Sequence, residues 1–236
     1  MKKFSFKTGL VAMAGMLSLA VLFSACKKNT ETQTVPVAGL MTFNLAPDKA
    51  AVGFSISGNT LGYAPLGYAA YTGYYMNIYP GQRTVAAFDQ AGVLDSTAYN
   101  FTANKYYSAF LVGANGKYRT VVVDDHIDTL SAPNGVAYLR YVNAIPDSTK
   151  PTVSVTVNGT AVVNSAAAFG SVSGFTPVQA GQATIALSNE GSINTNRTVT
   201  LESGKVYTVI LQGIPGQTDQ DKTVQIRYIT NGRVTP

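Results

Sequence analysis

The chain has 236 residues, of which 12% are charged and 46% hydrophobic. Its formal net charge is +5, but the cations are scattered without clusters, so the sequence does not support nucleic-acid binding. One histidine and one cysteine leave almost nothing for a Ser-His-Asp or Cys-His arrangement, a disulfide framework or a thiolate metal cluster. We therefore expect neither an enzyme nor a cofactor.

The first 25 residues have the pattern of a secretory signal peptide. Three early lysines precede an apolar stretch at residues 9–23, which is too short for a comfortable membrane-spanning helix. The stretch ends in "LFSAC", which resembles the lipobox of bacterial lipoproteins, where the cysteine is acylated and becomes the first mature residue. This resemblance implies a signal peptide at residues 1–25 and a lipidated Cys26 held on the membrane through acyl chains.

The next segment, residues 26–37, is polar and is predicted to be a flexible tether. Lys27 and Lys28 stand where some surface-exported lipoproteins carry an acidic run. We therefore expect a protein of the bacterial cell envelope, anchored in the outer membrane and facing the periplasm rather than the cell surface. Without the three lysines of the signal peptide, 14 of the 17 Lys and Arg remain against 12 Asp and Glu, a net charge of +2.

The rest of the chain repeats itself at an offset close to one hundred residues. The matching segments are "LMTFNLAPD" (40–48) with "LRYVNAIPD" (139–147), and "KYYSAFLVG" (105–113) with "KVYTVILQG" (205–213). Phe101 also falls on Leu201. Because the offset stays nearly constant over a domain length, the sequence predicts two homologous domains, at residues 38–132 and 133–236.

Each copy has the pattern of an all-β domain. "PTVSVTVNG" at residues 151–159 alternates valine with polar residues and ends in Asn-Gly, a strong hairpin signal. Similar short β-branched and aromatic runs follow between turn residues, and helical periodicity is almost absent. The sequence therefore predicts two tandem immunoglobulin-like β-sandwich domains after a lipoprotein signal peptide.

The second copy also resembles a known family. "YLRYVNAIPDSTKPTVSVTVNGTAV", followed by "VQAGQATIAL" and "LESGKVYTVILQG", is similar to a bacterial extracytoplasmic domain of unknown function. The resemblance covers residues 136–235 and, more loosely, residues 40–125. It implies an envelope lipoprotein with tandem domains, and it brings no catalytic residues.

A tyrosine-rich stretch at residues 61–81 is the first candidate site. Tyr68 and one of the pair Tyr74 and Tyr75 align with phenylalanines of the second copy, so aromatic residues there serve the shared fold. The other tyrosines have no aromatic counterpart, and they are either a platform for a sugar or protein partner or ordinary half-buried strand residues. The absence of tryptophan favours the second interpretation. The candidate ligand-binding residues are Tyr63, Tyr71, Tyr74, Tyr75 and Tyr79.

The segment "VDDHID" at residues 123–128 is a weaker candidate. Asp124, Asp125 and Asp128 supply the oxygen ligands that calcium prefers, but no glycine turn or distant glutamate completes a calcium loop. The favoured interpretation is a solvated linker between the two domains, without a metal.

These patterns predict a non-catalytic, membrane-anchored envelope lipoprotein that presents a binding or scaffolding surface to an envelope protein or a glycan. An alternative is a carbohydrate-binding lipoprotein that uses exposed tyrosines of the first copy. A remote alternative is a carboxylate-based hydrolase that uses Asp89, Asp95 or Glu190.

Overall fold

The structure is a computed structural model that describes residues 35–131, 133–147, 149–191 and 193–234, apart from the side chain of Tyr63. The predicted signal peptide and Cys26 lie outside these residues. The described residues form strands and loops with a single 3-10 turn at Ile127–Thr129, so the predicted all-β class with two β-sandwiches is confirmed. None of the described helices is long and apolar enough to cross a membrane.

The first sandwich contains nine strands. They are β1 Ala38–Asn44, β2 Val52–Ile56, β3 Asn59–Leu66, β4 Ala70–Tyr71, β5 Met76–Ile78, β6 Gly81–Asp89, β7 Gly92–Phe101, β8 Tyr106–Ala114 and β9 Lys117–Asp124. The second sandwich contains eight strands. They are β10 Val136–Asn143, β11 Thr152–Val157, β12 Thr160–Ala166, β13 Thr176–Gln179, β14 Gly181–Ser188, β15 Asn194–Leu201, β16 Lys205–Gln212 and β17 Gln225–Arg233.

Each sandwich pairs an outer sheet with an inner sheet. The outer sheets have the orders β3-β2-β6-β7 and β12-β11-β14-β15, and the inner sheets are built on β1-β8-β9 and β10-β16-β17. In both inner sheets the first strand runs parallel to the strand formed by the matched Lys-x-Tyr segment: β1 pairs with β8, and β10 pairs with β16. The predicted match of Phe101 with Leu201 also appears in the register, because these residues pair with Gly81 and Gly181. The predicted boundary at residues 132 and 133 stays a prediction.

The repeated "N-x-x-P-D" segment is a corner built around a buried asparagine. The side chain of Asn44 accepts a hydrogen bond from the backbone N–H of Ala46 and donates to the carbonyls of Lys49 and Leu66. Asn143 repeats this arrangement in the second sandwich, with Ile145 N–H as donor and the Ala167 carbonyl as acceptor. The motif therefore satisfies backbone groups where the chain leaves the inner sheet.

The repeated tyrosine of the Lys-x-Tyr segments also closes a corner. The Tyr107 hydroxyl accepts a hydrogen bond from the backbone N–H of Thr102 at 2.9 Å, and the Tyr207 hydroxyl accepts one from Glu202 at 3.1 Å. A tyrosine that bonds to the backbone a few residues upstream is a feature of immunoglobulin-like sandwiches.

The central strands of the inner sheets are buried on both faces. All seven residues of β1 and seven of the eight residues of β16 are buried. On β8, Tyr107, Ala109 and Leu111 face the core of their own sandwich, whereas Phe110 and Val112 face the second sandwich. The sheets therefore stack in four layers, outer-inner-inner-outer, and the described residues from Pro36 onward form one compact unit.

We call the third hydrophobic cluster, between the two inner sheets, the shared core. It consists of Met41, Phe43, Leu45, Phe110, Val112, Val142, Ala144, Ile210 and Ile229. The tandem repeat in the sequence did not predict this cluster, because strand alternation shows that a face is apolar without showing what covers it.

A charged pair is buried beside the shared core. Arg140 donates to the Asp125 carboxylate at 2.6 Å, and their side chains are 2% and 0% exposed. The guanidinium also donates to Ser108 and Thr208, and it lies 4.4 Å from the ring centre of Phe175. The prediction of a solvated linker at residues 123–128 is therefore wrong for Asp125, whose carboxylate joins the two sandwiches.

Candidate functional site

Two of the candidate tyrosines belong to the interface between the sandwiches. Tyr71 is stacked on Phe43 with ring centres 5.4 Å apart. The Tyr75 hydroxyl donates to Asp125 at 2.6 Å and accepts from Asn231 at 3.3 Å. Burial, followed by the charge of Asp125, raises the pKa of Tyr75 well above its usual value, so this hydroxyl stays protonated.

Strand register shows which tyrosine of the pair has a counterpart. Met76 pairs with Leu40, and Thr176 pairs with Leu139, so Tyr75 corresponds to Phe175. Both residues pack near the ion pair, which agrees with a role in the shared fold.

Two other candidates are on the surface. Tyr74 is 61% exposed and Tyr79 is 63% exposed, and the two residues flank β5. By register they correspond to Gly174 and Gln179 of the second sandwich, so the fold does not require an aromatic ring at either position. Tyr63 lies in β3, but its side chain is outside the described residues.

A further exposed tyrosine was missed by the sequence reasoning. Tyr106 is 41% exposed and makes an edge contact with Tyr75, with ring centres 5.0 Å apart. The two rings fit together over Gly39, where an added Cβ would lie 2.8 Å from the Tyr106 ring and 3.0 Å from the Tyr75 Cβ. The counterpart of Tyr106 is the buried Val206, so the repeat alignment already contained the signal for this residue.

These rings border a small cavity of about 110 Å³. Its lining includes the amides Asn77 and Asn104 and the ammonium of Lys105, which is paired with Asp128. We use the name tyrosine face for the cavity-lining residues Tyr75, Asn77, Asn104, Lys105 and Tyr106 together with the exposed tyrosines Tyr74 and Tyr79, which flank β5. The face combines exposed aromatic rings with hydrogen-bonding groups and the ammonium of Lys105, and the Arg83 guanidinium donates to the backbone carbonyls of Tyr79 and Pro80 beside it.

The three candidate metal ligands are directed to different partners. Asp125 binds Arg140, Asp128 binds Lys105, and Asp124 accepts a hydrogen bond from the backbone N–H of His126. Among the described residues, no group of three or more His, Cys, Asp or Glu side chains is arranged to hold a metal ion.

The candidate hydrolytic carboxylates are also engaged or dispersed. A hydrogen bond from Lys49 lowers the pKa of Asp89, which is opposite to the change that a general acid needs. Asp95 accepts a hydrogen bond from the backbone N–H of Thr120 at 2.6 Å. Glu190 lines a broad cleft of about 870 Å³ together with Asp147, whose two carboxylate oxygens are bound by Thr149.

The family model for a domain of unknown function, DUF4397, matches residues 38–150 and residues 137–230. The chain belongs to the DUF4397 family. The two matched segments follow the two sandwiches, and they confirm the predicted resemblance to a tandem domain of unknown function. No curated protein sequence matches the chain.

Several solved structures are distantly similar to this DUF4397 chain. A streptococcal virulence factor, from a study of alpha-glucan binding, is 12% identical, with 82% of this chain and 97% of that chain covered and a TM-score of 0.26. A candidate cell adhesion protein from Bacteroides uniformis ATCC 8492 is 11% identical, with 83% and 96% covered and a TM-score of 0.25. Likenesses at these scores carry no argument about the function of this chain.

Proposed function

We propose that this protein is a non-catalytic, lipid-anchored protein of the cell envelope that binds a glycan through the tyrosine face. The observation that carries the proposal is the exposure of Tyr74, Tyr79 and Tyr106, which are 61%, 63% and 41% exposed at positions where the second sandwich has no aromatic residue. Because the fold does not need these rings, a binding role accounts for large apolar side chains held in water.

The chemistry of the face suits a sugar. Tyrosine rings pack against the apolar faces of pyranose rings, while their hydroxyls and the amides of Asn77 and Asn104 provide hydrogen bonds to sugar hydroxyls. A cavity of about 110 Å³ has room for a substituent of a sugar ring rather than for a whole ring. The face would therefore hold a glycan lying along the surface.

Binding is tested with a soluble chain of residues 34–236, which contains the compact unit. We expect wild type to be retained on at least one member of a panel of polysaccharides. Tyr79→Ala and Tyr74→Ala should each weaken the affinity about three- to tenfold, because each removes one stacking ring. Tyr228→Ala, which removes a tyrosine 37% exposed on the second sandwich, is the matched control and should bind like wild type.

Failure of the wild-type chain to bind any polysaccharide would contradict the glycan proposal. Equal binding by wild type and by correctly folded Tyr79→Ala and Tyr74→Ala would place the glycan elsewhere on the protein.

Attachment to the outer membrane, with the folded part in the periplasm, is a separate element of the proposal and depends on Cys26. In a Gram-negative host that is fed radiolabelled palmitate, we expect the wild-type protein to be labelled and to sediment with membranes. Cys26→Ser should not be labelled, because it lacks the thiol that is acylated. Label on Cys26→Ser, or an unlabelled wild type, would contradict lipidation at this residue.

A further inference from the structure

An aromatic ring lies across the solvent-facing side of the outer sheet of the first sandwich. Phe88 of β6 pairs with Gly53 of β2, and both residues point away from the core that Val52, Phe54 and Ala87 fill. An added Cβ on Gly53 would lie 2.4 Å from Phe88 Cζ and 2.7 Å from Cε2. The far edge of the ring therefore rests directly over the glycine, and the missing side chain of Gly53 makes room for it.

Among the described residues, the cross-strand neighbours of this ring on β7 and in the next row are uncharged. On its other side, Phe88 pairs with Val93, which is 67% exposed. The next row on the same face is formed by Ser55, Ala86 and Ser96. The adjacent Asp89 is neutralised by an ion pair with Lys49 at 2.8 Å. A flat, half-buried aromatic ring thus has small neutral side chains around it on the β6 and β7 side.

The second sandwich shows that the fold does not need this arrangement. Strand register places Ser188 at the position of Phe88, and Thr152 at the position of Gly53. Asn194 takes the position of Val93. All three counterparts are polar and exposed, as expected for the outer face of a sheet in water. The ring and the glycine beneath it therefore occur together, and only in the first sandwich.

We propose that Phe88 is a stacking platform for an uncharged sugar ring, on a face separate from the tyrosine face. A ring that rests on the sheet offers its face to a flat partner, and the apolar face of a pyranose is such a partner. The absence of charge in the neighbouring rows matches a neutral ligand. One phenylalanine and one valine are far less apolar surface than the core of a stable protein interface, so a protein partner is disfavoured.

The proposal is tested by NMR titration of the soluble chain 34–236, with labelled phenylalanine, against neutral oligosaccharides of glucose and of mannose. At least one should shift the Phe88 ring resonance. Phe88→Ala should weaken that binding about three- to tenfold, whereas Phe88→Tyr, which keeps a ring, should restore it. Gly53→Ala tests the geometry, because its methyl group displaces the ring while the backbone of Gly53 accepts alanine without strain. It should weaken binding although Phe88 is intact.

The two proposed sites are distinguished by Tyr79→Ala. This variant should leave the Phe88 response unchanged, so loss of the tyrosine-face site and loss of the Phe88 site are separate results. The proposal is overturned if no oligosaccharide shifts the Phe88 resonance, or if Gly53→Ala and a folded Phe88→Ala both bind like wild type. Should Phe88→Ala fail to fold, the result with Gly53→Ala decides.

Discussion

Replacement of Arg140 by methionine should lower the free energy of unfolding by about 3–5 kcal/mol. The Asp125 carboxylate is 0% exposed and would lose its only cation among the described residues while it stays in the interior. Hydrogen bonds from Tyr75 and Ser108 would remain, but they do not replace a charge. The loss therefore comes from an uncompensated buried charge rather than from lost packing.

Comparison of corresponding positions in the two sandwiches provides a matched control for this variant. Register places Met41 of the first sandwich at the position of Arg140, since they pair with Ser108 and Thr208 respectively. Asn231 plays the part of Asp125, because it accepts the hydrogen bond of Thr208 at 2.6 Å. The double variant Arg140→Met/Asp125→Asn therefore carries no buried charge at this site, and each substitution introduces the residue type found at the corresponding position of the other sandwich.

We expect the double variant to recover most of the stability lost in Arg140→Met, because buried ion pairs exchanged for neutral residues of similar size are often near neutral in effect. Urea unfolding at pH 7 measures both variants. Equal losses in the single and the double variant would show that packing by the arginine stem, and not its charge, carries the effect.

Phe110→Ala should cost about 3–5 kcal/mol, as large-to-small changes in cores do. Phe110 is completely buried in the shared core and stacks on Phe43 with ring centres 4.5 Å apart. The cavity would open between the sandwiches, so we expect a single unfolding transition that moves as a whole. The control is Val93→Ala, on an exposed residue, which should change stability by less than about 0.5 kcal/mol.

Calorimetry of the Phe110→Ala chain distinguishes a shared core from two independent ones. Two transitions, of which only the earlier one moved, would contradict the coupling of the sandwiches through their inner sheets.

Much of the fold was readable from the residues. Alternating valines in β11 and the Asn-Gly turn after them predicted a hairpin, and β11 and β12 form that hairpin. The constant offset between the copies predicted the repeated topology. These features are local or are shared by both copies, so short-range pattern is enough to find them.

The contact between the sandwiches could not be predicted from the sequence. Asp125 stands in an acidic segment that has the pattern of a solvated loop, and its partner Arg140 lies in an apolar strand. Only the stacking of the inner sheets brings the two side chains together. Sequence spacing cannot reveal a pairing that depends on which sheet faces cover each other.

The candidate binding residues could be predicted from the sequence only in part. Comparison of the repeats indicated that Tyr79 has no aromatic counterpart but left Tyr74 and Tyr75 undecided; the strand register assigns the counterpart to Tyr75, and Tyr74 and Tyr79 are exposed at unmatched positions. The same comparison indicated that Tyr71 lacked a counterpart, yet this ring packs on Phe43 in the interface. Phe88 was overlooked because its role depends on Gly53 in another strand.

The shared core cannot form until both halves of the chain are available for folding. The roughly one hundred residues of the second sandwich follow those of the first both during synthesis and during the export that the signal peptide predicts. During that interval Met41, Phe43 and Phe110 have no covering sheet. The first half of the chain is then an intermediate with an exposed apolar sheet face, and the second sandwich that covers this face follows it. A chain cut short near its middle would keep that surface permanently, and we would expect it to be recovered in aggregates.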